Sequence, residues 1–385
     1  MSLHKTIEKN TYYPYFDYLR IILVSIVMLG HDGLSPWGNS GKLAVDVFFS
    51  LSGWLIGRIL IKTDITNLPK FYFNRALRIW VPYYIALVLI IIASLMKDPI
   101  DYKWYEFIIY KVTWVYNIFG TTQLSDYVQS MPLNGTGNHF WSVNAEEQFY
   151  LLAPLFLVVF SKIGTQLITW IFLATILWFM GIYAPISFGV LAAVINSRFP
   201  DFHIYPISRI ILLILFVTSA VGLSYTSDYQ LYAPVFSVSL VLLLAVKGER
   251  TSAGSFLGGI SYPLYLNHWI GVFFFNLMLD PFGLRDSGIR QFLAALMNYG
   301  IAAFLYWYIE RKVLSMRVKM YTFKRAVVFT IIAYLLILLG LVLGVALYPS
   351  LSHIMLLMLF ISTAYTIIYF TTIRMQIKLP QKHKN

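Results

Sequence analysis

The sequence predicts an all-α polytopic membrane protein, with ten transmembrane helices in a core and two more at the C-terminal end. Three observations predict it. Only 12% of the 385 residues are charged and 59% are hydrophobic, against about 25% charged in a soluble domain. Apolar runs of about 20 residues, the length that crosses a bilayer, recur along the whole chain. The basic residues collect in short clusters at alternate connections between those runs. A net charge of +12 would suggest nucleic acid in a soluble chain; here it reads as topology, and no nucleic-acid partner is expected. There is no cysteine, hence no disulfide framework and no thiolate nucleophile.

The apolar runs place spans near residues 17–34, 43–61, 80–96, 145–161, 164–181, 183–197, 208–225, 231–246, 257–279, 291–310, 325–348 and 352–373. Residues 104–119 are apolar and aromatic but interrupted by Lys111 and Asn117, which suits an interfacial or re-entrant segment. Lys5 and Lys9, the 58–78 cluster, Lys162, Arg198, Lys247 with Arg250, the 311–325 cluster and the C-terminal basic tail all fall on one side if every odd span runs outward. The expectation is a cell-membrane protein, lipid-embedded, with both termini cytoplasmic. By charge content it divides into a membrane core over 1–312 and a basic loop, two further helices and a basic tail over 313–385.

Ionisable residues inside a bilayer cost several kcal/mol and so mark candidate sites. Arg20 and His31 are eleven residues apart in the first span, close to three full turns, so they share a face about 16 Å apart along the axis. Asp17, one turn before Arg20, can pair with it. Run outward, the helix carries Arg20 near the cytoplasm and His31 near the far side. A snorkelling arginine with a helix-capping histidine is the plainer alternative. Asp46, beside Phe48 and Phe49 in the second span, is either a structural pair or a chemical group. Arg75 and Arg78 share a helix face before Pro82, suited to a polyanionic phosphate ligand or to lipid headgroups.

His139, Trp141 and Ser142 lead into Glu146 and Glu147 at a helix start. The two carboxylates either favour that terminus electrostatically or orient a histidine as in general-base pairs. Tyr262 and His268 lie in the ninth span. A lone buried histidine is structural more often than not, but several of them with carboxylates suit proton chemistry. Zinc-protease, phosphate-loop and nucleophile-elbow motifs are lacking, and dispersed histidines without cysteine argue against a structural zinc site; no metal is expected.

These landmarks resemble, in order, the acyltransferase 3 family of integral-membrane acyltransferases. Arg20 and His31 match its first-helix signature. Asp46-Val47-Phe48-Phe49-Ser50-Leu51-Ser52-Gly53, Arg75-Ala76-Leu77-Arg78, His139-Phe140-Trp141-Ser142 with Glu146-Glu147-Gln148-Phe149-Tyr150, Ser261-Tyr262 with Tyr265 and His268, and Glu310 resemble its later segments. Val143 and Ala145 are smaller than the residues usual there, and no proline follows Glu310. The resemblance implies transfer of an acyl group, often acetyl, from cytoplasmic acyl-CoA to a hydroxyl of an envelope or exported glycan. Arg20, Arg75 and Arg78 are then expected to hold the donor phosphates. His31 is expected to be the base, with Glu146 or Asp46 to hold its tautomer, and His139, Trp141, Ser142, Tyr262 and His268 to meet the acceptor. A transporter or flippase for a glycan or lipid-linked glycan is the other function these intramembrane charges suit.

Overall fold

The structure, a computed structural model, describes residues 12–35, 37–120, 135–181 and 183–349. These residues form helices and turns, with no strand among them. The span expected over 352–373 lies outside them. Five helices are long and apolar enough to cross a membrane: Ser40–Ile61, Ile65–Leu95, Pro206–Tyr225, Gly288–Met320 and Phe323–Leu347. The described residues group into two compact units.

The first unit comprises residues 1–61 and 165–308. Its helices are α1 (Pro14–His31) and α2 (Ser40–Ile61). The second unit, residues 62–164 and 309–385, supplies α3 (Leu68–Leu95), α4 (Tyr102–Val112) and α5 (Phe140–Pro154). The first unit then continues with α6 (Leu167–Met180), α7 (Ala184–Arg198), α8 (Pro206–Tyr225), α9 (Tyr229–Leu244), α10 (Ser252–Asn267), α11 (Trp269–Leu279) and α12 (Gly288–Leu305). The second closes with α13 (Arg311–Met320) and α14 (Phe323–Leu347). Local chemistry sets the starts. The side chains of Asp101, Thr251, Ser287 and Thr322 accept from backbone N–H groups of α4, α10, α12 and α14. Proline occupies the first turn of α1, α3, α7 and α8, where its missing N–H is harmless.

In the first unit α2 and α7 cross at backbone contact. A Cβ on Gly53 would lie 2.2 Å from the Ile186 carbonyl oxygen, and one on Gly189 would lie 2.3 Å from that of Ser50. With no hydrophobic effect between lipid-bathed helices, such small-residue contact is what holds them. α1 and α10 run in the same direction: the Tyr18 hydroxyl meets Thr251 at one end, 3.2 Å away, and His31 meets His268 at the other. α12 runs against them, with Arg290 at Asp32 and Tyr299 at Ser25. The run expected as one span over 257–279 is two helices joined at His268.

In the second unit the expected 80–96 span is longer, because α3 begins at Leu68 and carries Arg75 and Arg78 within it. The 104–119 segment is α4 followed by a break at Trp114, which has φ 62°. Broken backbone at membrane depth survives only where protein satisfies it. Here the hydroxyls of Tyr83 and Tyr84 donate to the carbonyls of Lys111 and Val112 at 2.9 and 3.0 Å. Gln148 of α5 donates to the Trp114 carbonyl at 2.7 Å, and Asn144 accepts from the Tyr116 N–H at 3.1 Å. α14, the first of the two helices expected beyond 312, packs on α3, where Phe73, Leu77 and Ala326 form a buried cluster.

Candidate active site

The first unit brings together two histidines expected from the sequence. α1 ends at His31, which is exposed, while His268 is buried at the junction of α10 and α11. Nδ1 of His31 is 2.8 Å from Nε2 of His268, and Nδ1 of His268 is 2.8 Å from the Tyr265 carbonyl oxygen. A carbonyl only accepts, so His268 carries its proton on Nδ1 and, as a neutral ring, presents a lone pair at Nε2. His31 must then donate from Nδ1, which puts its own lone pair on Nε2. The arrangement produces an imidazole of defined tautomer at the end of α1, oriented by a second imidazole rather than by a carboxylate.

Asp46 does not supply that orientation: the Tyr229 hydroxyl donates to its Oδ2 at 2.7 Å, and Lys42 stands over the Tyr229 ring at 4.2 Å. Tyr262 is half-buried on α10, six residues before His268. At the opposite end of α1, Arg20 is ion-paired with buried Asp17 at 3.1 Å. The Tyr12 hydroxyl also donates to Asp17. Burial, and then the Asp17 carboxylate, push the Tyr12 phenol above its ordinary pKa. A Cβ on Gly258 would stand 2.6 Å from Asp17 Oδ1, so only glycine lets α10 approach the pair.

The second unit holds the other expected residues. Arg75 lies over the rings of Tyr150 and Phe71, at 5.4 and 5.7 Å, and Arg78 is exposed on the same helix. Glu146 accepts from the Tyr150 hydroxyl. Its neighbour Glu147 is the more buried carboxylate. It takes a 2.8 Å hydrogen bond from Trp80 Nε1 at one oxygen and has no hydrogen-bond partner among the described residues at the other. His139 is buried just before α5, Trp141 is half-buried, and the Ser142 hydroxyl donates to the His139 carbonyl at 3.2 Å.

Site-building residues that carry no sequence signal of their own are Asn298, Gln291 and Arg290. Lys111 is fully buried, its ammonium 3.7 Å from the centre of the Tyr116 ring and without a hydrogen-bond acceptor among the described residues. Its interruption of an apolar run was the only clue.

Long apolar helices, with histidines and charges held at their ends and junctions, define a polytopic helical membrane protein built for polar chemistry. The chain belongs to the acyltransferase 3 family, whose profile, described as an acyltransferase domain, matches residues 13–309. Among similar proteins, the peptidoglycan O-acetyltransferase OatA of Listeria monocytogenes is 31% identical over 185 residues, 45% of this chain and 30% of that protein. A Staphylococcus aureus protein provisionally named an O-acetyltransferase is 32% identical over 160 residues, 39% of this chain and 26% of its own. A Bacillus subtilis protein provisionally named a peptidoglycan O-acetyltransferase is 29% identical over 165 residues, 40% of this chain and 25% of its own. The chain thus spans less than a third of the length of these relatives in the matched regions. No solved structure matches it.

Proposed function

We propose that the protein is a membrane O-acyltransferase that moves an acetyl group from cytoplasmic acetyl-CoA to a hydroxyl of an envelope glycan, peptidoglycan being the first candidate, on the outer side. The observation that carries this is the imidazole pair at the end of α1: the tautomer of His31 is set so that Nε2 can take a proton. In the reaction, the acceptor hydroxyl gives its proton to His31 Nε2 while its oxygen bonds to the thioester carbonyl carbon. The carbon–sulfur bond then breaks, and the leaving thiolate takes the proton back from the imidazolium. His268 keeps the ring aligned throughout. Arg20, held by Asp17, and Arg75 and Arg78 on α3 are assigned to the donor's phosphates, which planar guanidiniums bind well. His139, Trp141, Ser142 and Tyr262 are assigned to the acceptor; Asp46 and Glu146 are assigned to holding the phenols of Tyr229 and Tyr150 rather than the His31 ring.

Support comes from the family, from the names of the relatives, and from the basic clusters, whose distribution suits a cytoplasmic Arg20 end of α1. The test is to supply purified protein in lipid nanodiscs with radiolabelled acetyl-CoA and peptidoglycan fragments. Transfer of label, with release of free coenzyme A in equal amount, is expected. Binding of glycan with no consumption of acetyl-CoA would instead indicate a glycan carrier.

A further inference from the structure

Buried Asn298 lies in a stripe of α12 between Ala294 and Ala302, its fully buried neighbours one turn away on either side. An amide in an apolar stripe inside a membrane helix costs free energy unless its bonds serve something. Both ends of this amide are used. Oδ1 accepts from the Gly271 N–H at 2.8 Å, and Nδ2 donates to the carbonyl oxygen of His268. The approach is tight enough that a Cβ on Gly271 would stand 2.3 Å from the Ala294 carbonyl oxygen and 2.7 Å from Asn298 Oδ1. Asn298 therefore ties His268, the residue before α11, and Gly271, in the first turn of α11, to a single side chain.

The same helix grips the other histidine. Gln291 is seven residues before Asn298, so the two lie within about 20° of one face and about 10 Å apart along the axis. Gln291 Nε2 donates to the carbonyl of Asp32, the residue after His31, at 3.2 Å. Arg290 pairs with the Asp32 carboxylate and donates from Nε to the Arg285 carbonyl, and both partners of that ion pair are buried. About two turns deeper, the Tyr299 hydroxyl lies 2.5 Å from that of Ser25 on α1.

We propose that α12 is a positioning helix: Asn298 and Gln291 are positioning residues that hold the backbones of His268 and His31 so that the two rings meet in the proton-relay geometry. Neither touches a reacting atom. A shift of about 1 Å in such a pair costs on the order of a hundredfold in rate. The proposal rests on the acyltransferase reading for its catalytic consequence, but not for its structural one.

The test uses the full chain in nanodiscs, labelled with ¹⁵N-histidine. N298D keeps the acceptor for Gly271 but places a carboxylate oxygen against the His268 carbonyl. Q291A removes a half-buried side chain with little core disruption, and covers the case in which N298D does not fold. Expected in both variants are altered ring-nitrogen shifts of His31 and His268 with those of His203 unchanged. With acetyl-CoA as donor, N298D should lower kcat roughly tenfold to a hundredfold with KM for acetyl-CoA unchanged and a shifted pH–rate profile. Unchanged ring shifts in a folded variant overturn the positioning role whether or not the protein turns over acetyl-CoA. Altered shifts with wild-type kcat and pH profile, while H31A is inactive, overturn its catalytic relevance. Absence of turnover in the unsubstituted protein counts against the acyltransferase reading alone, and the shifts still decide the positioning role.

Discussion

Nδ1 of His31 and Nε2 of His268 lie 2.8 Å apart, joined across 237 residues of chain. The second ring is anchored by the Tyr265 carbonyl, so the direction of every proton in the chain from Tyr265 to His31 is determined. A histidine here does the orienting that a carboxylate does in many general-base pairs.

The first prediction concerns that orienting ring. His268→Gln keeps an acceptor toward His31, whereas His268→Leu removes it. Turnover should fall by about tenfold in the first variant and on the order of a hundredfold or more in the second. Steady-state rates with acetyl-CoA check this; equal rates in the two variants would show that the hydrogen bond has no role.

The crossing of α2 and α7 gives a stability prediction. Gly53→Ala drives a methyl group into the Ile186 carbonyl oxygen, where backbone and not a flexible side chain must yield. Overpacking of this kind costs about 1–3 kcal/mol or more. The melting temperature of detergent-solubilised protein should drop clearly below that of the unsubstituted chain.

Much of the helical layout was legible in the sequence, because apolar run length and basic clusters are one-dimensional signals. Helix ends that break those signals were not. α3 extends back through Arg75 and Arg78 because aromatic rings and an open surface accommodate the guanidiniums. The break at His268 was hidden inside a run whose length suits a single span. His31, His268 and the Asp17–Arg20 pair stood out as charges where charges are costly. Asn298 and Gln291, which hold the carbonyls of His268 and Asp32, and Tyr229, which donates to Asp46, are ordinary residues that acquire meaning only through contacts remote in sequence. The different surroundings of Glu146 and Glu147 were equally invisible: of these adjacent carboxylates, Glu147 meets Trp80 and Glu146 meets Tyr150.

A pH dependence follows from His203, which lies between α7 and α8, outside the spans. It is buried, and its Nε2 is 2.9 Å from the Ala245 carbonyl. Burial is the main cause holding its pKa below the ordinary histidine value. The folded state thus prefers the neutral ring more than the unfolded state does. The stabilisation is complete above the unfolded value of about 6.5 and is lost as pH falls from there towards the lower folded value. Melting temperatures should decline over that range, and His203→Phe should flatten the decline. An identical decline in the variant would assign it to other groups.

Arg75→Ala combined with Arg78→Ala tests the phosphate assignment. Charge-assisted hydrogen bonds are each worth about 1.5–3 kcal/mol, so KM for acetyl-CoA should rise about tenfold or more, in protein whose melting temperature shows that it is folded. Unchanged donor affinity, with altered retention of anionic lipid, would assign the two arginines to headgroups.

The central claim is that His31 is the base for acyl transfer, and the most direct measurement is the turnover of acetyl-CoA by His31→Ala in nanodiscs beside the unsubstituted protein. Loss of transfer is expected, with insertion, folding and donor binding retained. Near-normal turnover by that variant would contradict it.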